Sequence, residues 1–392
     1  MYHRRSVFAA ACLGMLLFGI VFLSLGSANN MLAERFHLND NQIGTLTVLL
    51  PFGILLGSIV FGPVVDRFGY KGMLVLASLL VGVSLEGLAF APSERFVQLF
   101  IFLIGFGGGV LNGATNALTS DISEGDHGAK LSLLGVFFGI GALGMPGTLA
   151  ALSRHFPLTS IIAGIGVVVL IPAIYCMSIQ FPPPKVKGSE KFITSGLALL
   201  KEPVFLCAGL ALAFQSGMEG MSNDWMTRYF KKVTLAGQQV EEWKTLLGLM
   251  AVTGAMVAAR LVLSGLLRRI APPRVLFGSI GVAAGGALLL TFAESYGTAL
   301  IAALMIGAGL AAGFPIVLSY IGQRYASRSG TAFSLIFFLA LIGNMVINKS
   351  FGVLATLHGV RQYGWVMLAC LAISATLLAL VLRLLKTPNN NT

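Results

Sequence analysis

Nine stretches of this chain run for 19 to 30 residues without an Asp, Glu, Lys or Arg. Three further segments are as long and as apolar, but each carries one internal charge: Glu86, Glu219 and Arg260. A helix needs about 20 mostly apolar residues to cross the hydrocarbon of a bilayer. The pattern therefore predicts an all-α membrane protein with twelve transmembrane helices. Soluble domains carry roughly 25% charged residues, whereas this chain carries 10% and is 56% hydrophobic. No soluble core hides that much apolar surface, so lipid serves as part of the solvent. A charge inside a span is expensive, which marks the three internal charges as functional candidates.

The expected spans are 7–30, 41–65, 72–92, 97–120, 130–152, 157–180, 203–227, 245–266, 274–292, 297–322, 330–353 and 362–384. Arg4 and Arg5 precede the first apolar run, which continues to Asn30. That is too long for a signal-peptide core of roughly 7–15 residues, so the run reads as a retained first helix. The longest polar connection holds Pro182, Pro183, Pro184, Lys185, Lys187 and Lys191. Three prolines favour an extended segment. The chain thus divides into a six-helix bundle over 1–180, a cytoplasmic linker over 181–202 and a second six-helix bundle over 203–392. With both termini in the cytoplasm, most of the 26 Lys and Arg residues fall in cytoplasmic loops and tails, as the positive-inside rule requires.

Other classes fall away on chemistry. The net charge of +11 sits in short loops, where it is a topology signal and not a nucleic-acid surface. Cys12, Cys176, Cys207 and Cys370 lie inside apolar segments without metal-ligand spacing and read as small core residues. The five histidines are scattered, and no nucleophile stands with a base, so neither an enzyme nor a bound cofactor or metal is expected. A Gly-x-x-x-x-Gly-Lys-Ser/Thr loop is missing, so the chain is not itself an ATP-driven pump.

The loop after span two reads Gly62-Pro-Val-Val-Asp66-Arg67-Phe-Gly69-Tyr-Lys71, and a second basic loop, Gly265 to Arg274, stands at the same place in the second half. Duplicated halves are a known transporter architecture. The pattern Gly62-x-x-x-Asp66-Arg67-x-Gly69-x-Lys71 resembles the signature loop of the major facilitator superfamily. Gly62 and Gly69 permit close approach and a tight turn, and Asp66 at a helix end can accept backbone N–H groups or pair with a cation. The resemblance implies two pseudo-symmetric six-helix halves, secondary transport, and a cytoplasmic gate made of Gly62, Asp66, Arg67, Gly69 and Lys71.

Within the superfamily, scattered pieces are similar to the fucose:proton symporter family. They are Ala28-Asn29-Asn30, Gly107-Gly108-Gly109 with Asn112 and Asn116, Gly217-Met218-Glu219 with Trp225, Arg260, and Gly307 to Pro315. Two departures stand out. That family places an acid just after the Asn pair, where this chain has Met31, Leu32 and Ala33, and a Glu where it has Asn112. Both acids associated with proton coupling are missing, which speaks against fucose itself and against that family's usual proton route.

The residues suit a sugar carrier. Amides offer a donor and an acceptor to each hydroxyl, and aromatic rings cover the apolar sugar face. Asn112 and Asn116 share a helix face at a spacing of four, as do Gln215 and Glu219. The resemblance makes spans one, four, seven and ten line the cavity, so the expected substrate residues are Asn30, Asn112, Asn116, Gln215, Glu219 and Trp225, with Asn29 beside Asn30 and Asn344 added from span eleven. The competing reading of the amides is interhelical hydrogen bonding.

Glu219 is the expected coupling residue, because a mid-span carboxylate tends to be protonated, to pair or to bind a cation. Arg260 is its partner, an anchor for an anionic substrate, or a side chain snorkelling to the surface. Glu86 is the third ion candidate, with a structural or outer-mouth role as the alternative. Asp224 and Arg228 read as a helix-surface pair. Gly139, Gly141, Gly144, Pro146 and Gly147 in span five, and Pro315 in span ten, are expected kinks or packing points.

The expected function is secondary active transport of a small polar solute, first of all a neutral sugar, by alternating access coupled to H⁺ or Na⁺. The alternative is export of amphipathic compounds or amino-sugar and peptidoglycan-derived solutes, and a more distant one is a transporter-like sensor. The expected setting is a monomer in the lipid bilayer of the bacterial inner membrane, with no nucleic-acid partner.

Overall fold

A computed structural model describes residues 2–37, 40–152, 155–184, 198–232 and 242–386. Among the described residues there is no strand. In chain order the helices are α1 (Arg4–Phe36), α2 (Asp40–Phe68), α3 (Tyr70–Ala89), α4 (Glu94–Asp121), α5 (His127–Leu152), α6 (Leu158–Ser178), α7 (Pro203–Lys232), α8 (Glu242–Leu266), α9 (Pro272–Thr291), α10 (Tyr296–Leu310), α11 (Gly313–Arg324), α12 (Ser329–His358) and α13 (Tyr363–Lys386). Among the described residues, twelve stretches are long and apolar enough to cross a membrane, α10 and α11 together forming the tenth. An even number of crossings returns both termini to the same side. Leu76, Val83, Ile174 and Val262 are all more exposed than buried, as expected of side chains solvated by lipid. Of the 181–202 linker, residues 185–197 lie outside the described residues.

Two compact units form. The first joins Met1–Glu124, Phe137–Phe192 and Gly322–Leu335; the second joins Gly125–Val136, Ile193–Ile321 and Ile336–Thr392. Each repeats one pairing scheme. In the first unit α4 packs on α2 and α3, and α3 packs on α6; in the second α10 packs on α8 and α9, and α9 packs on α13. The echo of the two basic loops thus extends to the helix contacts within each unit.

Small residues set how closely these helices approach. Gly53 and Gly57 of α2 lie against the backbone of α4 at Phe102 and Phe106, while Gly105 and Gly109 of α4 lie against α2 at Leu50 and Ile54. Two Gly-x-x-x-Gly faces interlock, so each helix uses the other's missing side chains. A Cβ at Gly105 would collide with the Leu50 carbonyl oxygen, an atom that cannot swing away. Gly105→Val is expected to destabilise the protein by about 1–3 kcal/mol through overpacking, read as a lowered unfolding midpoint in detergent.

The tenth span is interrupted. α10 ends at Leu310, Ala311 and Ala312 form a turn, and α11 begins at Gly313. Pro315 has no N–H, so it cannot donate to the Ala311 carbonyl one turn earlier. The expected kink at Pro315 is here a break between two helices. In span five, by contrast, α5 runs unbroken from His127 to Leu152 across its glycines.

Candidate functional site

A run of polar contacts in the second unit centres on Glu219 of α7. Its Oε1 accepts a hydrogen bond from Gln215 Nε2 at 2.9 Å, and Arg260 Nη2 of α8 stands 3.6 Å from the same oxygen. The two charged side chains are 19% and 7% exposed respectively, so the pair is largely desolvated and each charge depends on the other. The geometry thus places Arg260 beside Glu219, with its guanidinium buried and not at a surface.

Two residues of α5 help hold Arg260. Ser132 Oγ donates to the Arg260 carbonyl oxygen at 2.7 Å. Gly135 has no side chain where the guanidinium lies; a Cβ there would stand 2.9 Å from Arg260 Cδ and 3.2 Å from Nη1. Gln215 closes the other end, since its Nε2 also donates to the Leu310 carbonyl oxygen at 2.7 Å. That carbonyl belongs to the last residue of α10. Ser132, Gly135 and the Leu310 carbonyl carried no distinguishing sequence signal; only Pro315 pointed to the break.

Nearby α7 positions meet α12. Asn344 Nδ2 donates to the Ser216 carbonyl oxygen at 2.8 Å, an interhelical bond of the kind that holds a bundle together. Trp225 Nε1 donates to Asn348 Oδ1 at 2.6 Å, and its ring meets Phe351 edge-on with centroids 5.1 Å apart. Asn348 Nδ2 in turn donates to Asp224, while the Arg228 guanidinium lies 5.0 Å above the Trp225 ring. Asp224 and Arg228, expected as a helix-surface pair, thus meet Asn348 and the Trp225 ring respectively.

In the first unit, Asn116 Nδ2 donates to the Asn112 carbonyl at 2.8 Å and to its Oδ1 at 3.1 Å. Asn116 is buried and Asn112 half-buried on the same face of α4. Glu86 of α3 lies against Gly166 of α6, where a Cβ would stand 2.6 Å from its Oε1. Asn29 and Asn30 fall on α1, but their side chains lie outside the described residues. An apolar cavity of about 530 Å³ opens among α1, α5 and α6, lined by Leu16, Ile20, Ile140, Met145, Phe156 and Val168.

The signature loop is ordered by its acid. Asp66, 6% exposed, accepts from Gly330 N at 3.1 Å, Thr331 N at 2.9 Å and Thr331 Oγ1 at 2.7 Å. Gly330 N and Thr331 N are first-turn N–H groups of α12, where a helix leaves its donors open to such an acceptor, and the helix dipole favours an anion there. Gly62 makes room, since a Cβ there would stand 2.6 Å from the Gly330 carbonyl oxygen. Gly69 turns the chain at φ +82, the left-handed region where glycine carries no steric penalty. Lys71 Nζ donates to the Ile179 carbonyl at 3.0 Å, and Arg67 lies 5.2 Å over the Phe68 ring. Asp66→Ala strands three donors and is expected to lower stability by about 3 kcal/mol. Asp66→Asn, which keeps one carbonyl acceptor, should fall between it and the wild type in detergent melts.

Twelve spans, a repeated packing scheme and a desolvated ion pair inside the spans define a polytopic membrane transporter. The chain belongs to the Major Facilitator Superfamily, whose family model matches residues 8–348. It is similar to the uncharacterized MFS-type transporter YfkL of Bacillus subtilis (strain 168), 22% identical over 356 residues, covering 88% of this chain and 87% of that one. The fold matches the MFS transporter FucP in the outward conformation, with a TM-score of 0.81, 18% identity, and 95% and 98% of the two chains covered. It also matches the proton:xylose symporter XylE bound to 6-bromo-6-deoxy-D-glucose, with a TM-score of 0.77, 14% identity, and 97% and 95% covered. At these identities the two structures speak to the fold alone. The protein is a multi-pass integral membrane protein, and its bacterial relatives support a place in the bacterial plasma membrane.

Proposed function

We propose that this chain moves a small polar solute, a neutral sugar, across the membrane by alternating access, coupled to H⁺ or Na⁺ through Glu219. The observation that carries this reading is the buried Glu219–Arg260 pair with Gln215 between it and the broken tenth span. A carboxylate in mid-span whose charge is balanced by one arginine at 3.6 Å changes its hold on that arginine when a proton or cation neutralises it. Such a change is what a coupling step needs.

The amide pair Asn112–Asn116 supports the sugar assignment, because these amides supply both donors and acceptors to hydroxyls. The fold likeness to the fucose:proton and xylose:proton symporters points the same way. Asn30, Trp225 and Asn344 complete the proposed substrate set, Glu86 is a second ion candidate, and the loop from Gly62 to Lys71 is the proposed cytoplasmic gate.

The test is uptake of radiolabelled neutral hexoses and pentoses into proteoliposomes under imposed H⁺ or Na⁺ gradients. Accumulation above equilibrium supports the reading, and no movement of any neutral sugar overturns it. The apolar cavity among α1, α5 and α6 favours a second reading, transport of amphipathic compounds, so a lipophilic dye belongs in the same panel.

A further inference from the structure

We infer that Gln215 is a positioning residue that relays the charge state of Glu219 to the break in the tenth span. The inference rests on the coupling role proposed for Glu219. One amide nitrogen serves two acceptors on two elements, Glu219 Oε1 at 2.9 Å on its own helix and the Leu310 carbonyl at 2.7 Å on α10. Gly313, the first residue of α11, makes the approach possible: a Cβ there would stand 2.5 Å from Gln215 Oε1. The amide is thus wedged between both ends of the break, with Ala311 and Ala312 fully buried beside it.

The direction of the relay follows from hydrogen-bond strength. A bond to an ionised acceptor is stronger than one to a neutral acceptor. While Glu219 is ionised, it holds the Gln215 amide in the orientation that also satisfies the Leu310 carbonyl. The charged group facing Glu219 across the interface is Arg260 of α8. When Glu219 is neutralised, both Arg260 and the amide are held less firmly. The Leu310 carbonyl then loses its oriented donor, and the turn at Ala311–Ala312 is free to rearrange.

Hydrogen–deuterium exchange of the 308–316 segment, in the purified full-length protein in detergent, tests this without solute or gradient. Gln215→Met keeps the volume and removes the amide. In the otherwise wild-type protein it is expected to speed exchange of the segment about tenfold, the effect of leaving one buried carbonyl without its donor. In the Glu219→Gln background the same substitution should change exchange by no more than about twofold, since the relay is already cut. An equal tenfold rise in both backgrounds would make Gln215 a fixed cap of Leu310 and overturn the relay. So would no rise in the wild-type background. Gln215→Asn, whose amide is one methylene short of both acceptors, gives the same reading if the Met variant does not fold. Failure of the coupling role itself shows elsewhere, as undiminished gradient-driven accumulation in Glu219→Gln.

Discussion

Glu219→Gln is expected to abolish solute accumulation while leaving exchange of solute across the membrane in place. One charge moving with a neutral solute across about 100 mV contributes roughly 2.3 kcal/mol. That corresponds to about fiftyfold accumulation at equilibrium, since each 1.4 kcal/mol is about tenfold. The variant should bring this ratio to one. Gln keeps the shape of Glu but cannot be charged or neutralised, so its hold on Gln215 is the weaker one of a neutral acceptor. Uptake against a gradient and counterflow at equal concentration, measured on the same proteoliposomes, separate the two effects. A variant that still accumulates solute places the coupling group elsewhere, with Glu86 the next to test.

The largest effect on stability is expected from Arg260→Met. It leaves Glu219, only 19% exposed, without its counter-charge in a low-dielectric site. Removing one partner of a buried pair costs about 3–5 kcal/mol, whereas replacing both partners with uncharged groups is often neutral. The double variant Glu219→Gln, Arg260→Met should therefore recover most of the loss. Thermal unfolding in detergent of the two single variants and the double variant gives the coupling energy directly. Additive losses would show that the pair contributes nothing as a pair.

What was legible in the sequence was whatever the bilayer or a local pattern imposes. Hydrocarbon thickness sets span length, so the helices followed from charge-free runs. Helical spacing placed Asn112 with Asn116 and Gln215 with Glu219, and both pairs meet. The glycines and acid of the signature loop are local as well. Their counterpart was not: Asp66 reaches Gly330 and Thr331 across 264 and 265 positions, and no periodicity connects residues so far apart.

The three internal charges show the same division. Their cost in lipid marked Glu219 and Arg260, yet only tertiary packing reveals that they pair, with Ser132 and Gly135 holding the arginine. Asn344 stood open between a substrate contact and a bundle contact. Its amide donates to the Ser216 backbone, a partner any residue type would have offered. Pro315 announced a kink, but nothing in the chain order said that Gln215 would donate to the Leu310 carbonyl at the end of α10.

Ion movement evoked by solute tests the coupling role of Glu219. Proteoliposomes holding wild-type protein, loaded with a pH-sensitive dye or placed in ²²Na⁺, would receive a pulse of transported sugar with no imposed gradient. H⁺ or Na⁺ is expected to enter with the sugar in the wild type, and sugar to enter without either ion in Glu219→Gln. Equal ion influx in both proteins would contradict that role.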